Sequence, residues 1–276
     1  MISQRNISLL SNRLAAGGGR RIREDVLERD YCLAWFLAVM AESDLKDILC
    51  FKGGTALKRC YFGEYRFSED LDFTLLEPLQ LDDLLKRFEP VYSALRQESG
   101  ITFEFDRVDR HKHSNSYTFY LKYEGPLPSG NNVKVDITQR EHLVFPREQK
   151  EVLRGYDEFT DLPSGRLLQV YSLAEVACEK IMALADKARN EPRDIYDLWY
   201  LVTRETITIE DLSGAVAEKL KFKGKPVDGI EAAIVSKEAR LKALWTGRLE
   251  HQMSELPPFE EVFRVLRRAL RQANLP

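Results

Sequence analysis

Apolar and polar positions along the 276-residue chain change period more than once. Over residues 23–42, Leu27, Tyr31, Ala34 and Ala38 recur at three- and four-residue intervals, which predicts a helix. "DILCF" is a short apolar strand ending at Phe51. Gly53 and Gly54 break it, and "TALKRCYF" reads as a helix after the turn. "DLDFTLL" alternates as a second strand, and 81–98 returns to helical spacing. "ITFEFDRVDR", "SNSYTFYLKYE" and "NNVKVDITQ" predict three more strands, the last two joined by the turn-rich "GPLPSG". From about Tyr171 the pattern changes to helices and loops. "SLAEVACEKIMALADKA" opens on an S-x-x-E capping box at Ser172 and Glu175, and Pro192 suits the first turn of "RNEPRDIYDLWYLVTR". The expected fold class is α+β, a mixed sheet flanked by helices and followed by an α-helical C-terminal region. The expected division is an α/β domain with N-terminal helices over 1–165 and a helical domain over 166–276.

Composition changes this picture little. At 44% hydrophobic and 31% charged the chain is ordinary for a globular protein, and a net charge of −3 announces no global field for nucleic acid. There is no apolar run of about 18 residues and no signal-peptide pattern, so a soluble, cytoplasmic protein with no membrane partner is expected. Cys32, Cys50, Cys60 and Cys178 are scattered in largely apolar contexts, without C-x-x-C spacing, and read as reduced core thiols.

The chemistry concentrates in "FKGGTALKRCYFGEYRFSEDLDF", residues 51–73. Strand side chains alternate faces, so Asp70 and Asp72 point one way while Leu71 and Phe73 point into a core. Paired carboxylates repel unless a cation sits between them, and magnesium is held by one or two carboxylates together with substrate phosphates. A glycine turn at a helix start suits phosphate, because backbone N–H groups are free there and small residues let the phosphate approach. Thr55 adds a hydroxyl; Lys52 and Lys58 add charge. In "VKVDI", Val133, Val135 and Ile137 share one face and Lys134 and Asp136 the other. If that strand lies beside "DLDF", Asp136 completes a three-carboxylate site for two Mg²⁺ ions, able to align an in-line displacement of pyrophosphate.

The glycine turn, the D-x-D strand and the later strand aspartate resemble the polymerase-β-type nucleotidyltransferase superfamily. The fuller string "FKGGTALKRCYF…RFSEDLDF", with "SLAEVACEKIMAL" and "RDIYDLW", is more specifically similar to the AbiEii/AbiGii toxin family, which includes the MenT toxins. The resemblance implies a polymerase-β-like core in which Asp70 and Asp72 bind metal. It implies that Ser68 assists near the triphosphate, that Lys180 contacts the nucleotide, and that Asp194 orients the lysine or the acceptor hydroxyl. It further implies transfer of nucleotides from an NTP to the 3′ end of tRNA, or another RNA acceptor, and a cognate antitoxin as partner. Alternatives are transfer onto a protein, a small molecule or the enzyme itself, or a non-catalytic nucleotide-binding partner protein.

Several residues have competing readings. Gly53, Gly54, Thr55, Lys58, Arg66, Ser68 and Asp197 are candidate substrate-binding positions. Arg66 binds phosphate or pairs with Glu69, and Asp197 shares the role of Asp194 or pairs with Arg193. Lys180 has no acid three or four residues away on its own helix, so it needs another partner. His111 and His113 read as an exposed strand end rather than a metal site. Three basic runs suit either an RNA backbone or a solvated face. They carry Arg20, Arg21 and Arg23; Lys219, Lys221, Lys223 and Lys225; and Arg264, Arg267, Arg268 and Arg271.

Overall fold

A computed structural model describes residues 1–16, 18–111, 114–205, 207–273 and 275. The chain divides into two compact units. The first comprises Met1–Glu141, Arg147–Val170 and Gln252–Ser254; the second comprises His142–Pro146, Tyr171–His251 and Glu255–Pro276. No helix among the described residues is long and apolar enough to cross a membrane.

The first unit opens with α1 (Gln4–Ala16), α2 (Glu24–Met40) and the short α3 (Leu45–Ile48). β1 (Leu49–Lys52) leads directly into α4 (Gly53–Ala56), which continues as a π-helical turn over Leu57–Tyr61. Then come β2 (Leu71–Leu75), α5 (Leu81–Ser99), β3 (Thr102–Val108), β4 (Ser116–Glu124), β5 (Asn131–Thr138), β6 (Glu148–Glu151) and β7 (Leu167–Val170). α2 is apolar around most of its circumference and accordingly buried from Leu27 through Met40, apart from Arg29. α5 is amphipathic. Leu84, Phe88, Val91 and Leu95 form its buried stripe, and Gly100 at φ +76° closes it in the left-handed conformation that glycine adopts without strain.

The strands form one mixed sheet in the order β3-β4-β5-β2-β1-β7-β6. β2 lies between β1, which is antiparallel to it, and β5, which is parallel. The alternation seen in the sequence sorts side chains as expected. Leu71, Phe73, Val133, Val135 and Ile137 are fully buried, with the Phe51 and Phe73 rings 5.0 Å apart. Burial of each such side chain contributes about 1.5–3 kcal/mol, and this apolar back fixes which way the carboxylates point. The sequence pattern predicted neither β6 nor β7. Both are short, and "EQKE" of β6 has no apolar alternation, so only its pairing with β7 makes it a strand.

The second unit contains α6 (Leu173–Ala185), α7 (Pro192–Arg204), α8 (Ile209–Phe222), α9 (Ile230–Val235), α10 (Glu238–Leu249) and α11 (Phe259–Ala273). α7 packs on α6, α10 and α11. Ser172 caps α6 by accepting the Glu175 N–H at 3.3 Å, and Pro192 sits in the first turn of α7. The other half of the capping box is diverted. The buried Glu175 carboxylate accepts the Val144 and Phe145 N–H groups at 3.1 and 3.0 Å and pairs with the buried Lys219 at 2.5 Å.

Candidate active site

The polar face of the sheet in the first unit collects the charges. Register places Lys52 opposite Asp72, Asp72 opposite Asp136, and Asp136 opposite Thr118. Cross-strand partners share a face, so a row of polar side chains crosses four strands. The pairing of β5 with β2 puts the third aspartate beside the D-x-D strand. Asp136 accepts from Thr118 Oγ1 at 3.1 Å and from Lys134 Nζ at 3.4 Å. Burial lowers the pKa of the Lys134 ammonium, but Asp136, Asp70 and Asp72 together raise it above the ordinary lysine value. Lys134 therefore sits in the combined field of all three carboxylates. Lys52 donates to Thr138 Oγ1 at 2.8 Å.

The glycine turn faces the same strand. Gly53 has φ +78°, and a Cβ on it would run into the Asp72 carboxylate. A Cβ on Gly54 would lie 2.6 Å from Arg66 Nη2 and 3.0 Å from Ser68 Oγ. Neither position has room for a side chain, and the absence of one lets the turn lie in contact with Asp72, Arg66 and Ser68. Arg66 is buried, and its Nη1 donates to Gln252 Oε1 at 3.0 Å and to the Phe67 carbonyl at 3.3 Å. The Glu69 carboxylate pairs with Arg29 at 2.7 Å.

Thr55 is buried, and its hydroxyl donates to the Asp70 carbonyl at 2.5 Å, tying the turn to the start of the D-x-D strand. Lys58 is 1% exposed and does not reach the polar face. Its ammonium donates to the Gly63 and Tyr65 carbonyls and to the Tyr156 hydroxyl, at 3.0–3.3 Å, and lies 4.2 Å from the Phe67 ring centroid. Burial lowers its pKa to about 8 despite Asp30 nearby. Arg59, also buried, pairs with Asp30 and donates to the Leu153 and Arg154 carbonyls. Of the two cations of "ALKRC", Lys58 thus anchors the loop that precedes Asp70, and Arg59 ties the turn to α2 and to residues 153–154.

In the second unit, Lys180 finds the partners its own helix lacks. Its ammonium is 2.8 Å from Asp194 and 2.7 Å from Asp197, both on α7 and both essentially buried. Arg189 adds a second cation, 2.6 Å from Asp194. Burial raises the Asp194 pKa, but Lys180 and Arg189 outweigh it, and the carboxyl is held below its ordinary value. Asp194 and Asp197 are three residues apart, just under one helical turn, so both can meet one lysine. Sequence reasoning missed Arg189, which precedes the helix and carries no periodic signal. It placed Lys134 on the carboxylate face but gave it no part there. His113 lies outside the described residues.

Among the described residues, no three His, Cys, Asp or Glu side chains are grouped closely enough to hold a metal on their own. The donors nonetheless fit magnesium as nucleotide enzymes use it. Asp70 and Asp72 are hard oxygen ligands on one face, and the Gly53–Gly54 turn lies directly against the Asp72 carboxylate.

A family model described as nucleotidyl transferase AbiEii toxin, type IV toxin–antitoxin system, matches residues 35–265. No curated protein matches the chain. Among solved structures, the fold is similar to that of MenT4, a nucleotidyltransferase toxin from Mycobacterium tuberculosis H37Rv. The TM-score is 0.63 at 19% identity, over 97% of this chain and 90% of that one.

Proposed function

From the membership of this chain in the AbiEii family of nucleotidyl transferase toxins of type IV toxin–antitoxin systems, we propose that it transfers a nucleotide from an NTP to the 3′ end of tRNA, using magnesium, and that a cognate antitoxin restrains it. The observation that carries the site assignment is the juxtaposition at Asp72. One neighbour is the bare α-carbon of Gly53, and the other is Asp136 in register on the parallel strand.

The backbone N–H groups at Gly53 and Gly54 receive the triphosphate, with Arg66 and Ser68 as side-chain donors beside it. Asp70 and Asp72 would hold magnesium together with the phosphates, and the ion would supply neutralisation of charge on the triphosphate and on the leaving pyrophosphate. The acceptor hydroxyl attacks the α-phosphorus, so one P–O bond forms as the bond to pyrophosphate breaks. Asp136 would join the ligands for a second ion in competition with Lys134, which with Thr118 occupies one of its carboxylate oxygens. Lys180, held by Asp194 and Asp197, takes the role that the family resemblance gives it, contact with the nucleotide. Thr55 and Lys58 are positioning residues, through the Asp70 carbonyl and the 63–65 loop respectively.

The test incubates purified protein with each labelled NTP, Mg²⁺ and total tRNA. Label on tRNA that disappears in Asp70→Ala is expected. Label confined to the protein would replace the proposal with self-modification. No label from any NTP, with Asp70→Ala indistinguishable from wild type, would overturn it.

A further inference from the structure

Of the three basic runs, two have most of their cations paired with nearby carboxylates, only Lys219 of them buried. In the lysine run, Lys219 is buried between Glu175 and Glu179, Lys223 is 3.6 Å from Glu179, and Lys225 is 2.5 Å from Asp186. Near the start of the chain, Arg23 pairs with Asp25 at 2.7 Å and Arg21 lies 3.7 Å from Glu24. The third run is different. On α11, Phe259, Val262, Phe263, Leu266 and Leu270 form the buried stripe, which forces Arg264, Arg267, Arg268 and Arg271 to the opposite side. Arg267 and Arg271 have only loose partners, Glu238 at 4.0 Å and Glu231 at 3.7 Å. Arg264 and Arg268 are exposed and have neither an ion pair nor a hydrogen bond among the described residues.

Residues three and four apart are helix neighbours, so these four guanidinium groups repel one another along the face. Complementing the negative end of the helix accounts for Arg271 in the last turn but not for Arg264 or Arg268, which lie earlier. The arginines line a groove of 520 Å³ with Glu238, Glu260 and Phe263; Glu260 is neutralised by Lys242 at 2.6 Å. A net cationic groove on a chain whose overall charge is −3 selects a polyanion over a generic protein surface. Arginine, with its planar fork of donors, suits phosphate oxygens. α11 also packs on α7, the helix that carries Asp194 and Asp197.

We propose that the arginine face of α11 is a docking surface for the phosphate backbone of the acceptor RNA. The inference rests on the RNA-acceptor reading above, and binding can be measured without turnover. Fluorescence anisotropy of labelled bulk tRNA, titrated with the full chain over a salt series, gives affinity and salt slope. The double variant R264E/R268E is expected to bind at least roughly tenfold more weakly at low salt, with the slope of log K against log salt reduced by about 1 for each arginine. R264Q/R268Q should fall between it and wild type. Circular dichroism should be unchanged, since both side chains are solvent-facing, and K86E on α5 should bind as wild type. D70A should bind tRNA normally while transferring nothing. Unchanged affinity and slope in R264E/R268E would overturn the proposal. So would loss of binding to an acidic partner protein with tRNA affinity intact. If the wild type binds tRNA through these arginines yet transfers no nucleotide, the docking surface stands and the enzymatic reading falls.

Discussion

Two lysine–carboxylate clusters serve the two units differently. Lys134 lies on a half-exposed strand face, 3.4 Å from Asp136 and under the influence of Asp70 and Asp72. Lys180 is held at 2.8 and 2.7 Å by two buried aspartates, with Arg189 behind one of them. The first cluster sets three carboxylates on one strand face, with Lys134 held at 3.4 Å and Lys52 on the neighbouring strand, and it stays open enough to exchange a charge. The second is two aspartates with two cations, closely balanced and desolvated, and its geometry is rigid. A group that must admit and release a metal is better served by the first arrangement, and one that must present a single ammonium in a fixed place by the second.

The comparison is broken most severely at the carboxylate pair. Asp70→Ala or Asp72→Asn should lower nucleotide transfer by on the order of 10³-fold, since several kcal/mol of charge stabilisation is lost. Denaturant unfolding should at the same time show unchanged or slightly increased stability, because like-charge repulsion is relieved. In the second cluster the order reverses and stability suffers. Lys180→Met leaves Asp194 and Asp197 buried with one cation fewer and should cost about 3 kcal/mol by urea denaturation, with transfer also lost. Lys180→Arg should recover part of the stability.

A pH series sharpens the same contrast. Asp194 has its folded pKa below the unfolded value, so it contributes stability above the ordinary carboxylate range and loses it as pH falls through the folded pKa. In Asp194→Asn the acid limb of the stability curve should flatten; an unaltered limb would show that the pair carries no such linkage.

Gly53→Ala tests the glycine turn. The strained backbone costs about 1–2 kcal/mol, and the added methyl displaces the Asp72 carboxylate, so activity should fall further than stability. The smallest effect is expected at Lys134. Lys134→Met removes a competing charge, and magnesium should activate at concentrations lower by roughly fivefold, equivalent to about 1 kcal/mol. A higher magnesium requirement would instead make Lys134 part of the phosphate-binding set.

Much of the first site could be read locally. Alternation in "DLDF" and "VKVDI" fixes which side chains are buried, and therefore which carboxylates point out, whatever the neighbouring strands are. The capping box was half legible. Ser172 caps as its sequence context dictates, but the Glu175 carboxylate turns to Lys219 and to the 144–145 backbone, which no spacing rule contains. Lys58 was the most misleading residue. Its place beside a phosphate-type turn suggests a substrate cation, but its helical turn points it inward, where carbonyls and aromatic rings receive it.

The sequence by itself determined the two periodicities, the D-x-D pair, the glycine turn and the family, because each is set by residues within one element or by a string of adjacent elements. Only the tertiary structure decided that Asp136 stands in register with Asp72, that Lys180 is clamped by two acids from the next helix, and that Arg264 and Arg268 of one basic run face solvent without a carboxylate partner among the described residues. The physical reason is range. Alternation and capping act through neighbouring backbone, whereas strand order, ion-pair partners and exposure depend on which distant elements come into contact. A charge in the sequence has a sign but no partner until packing supplies one.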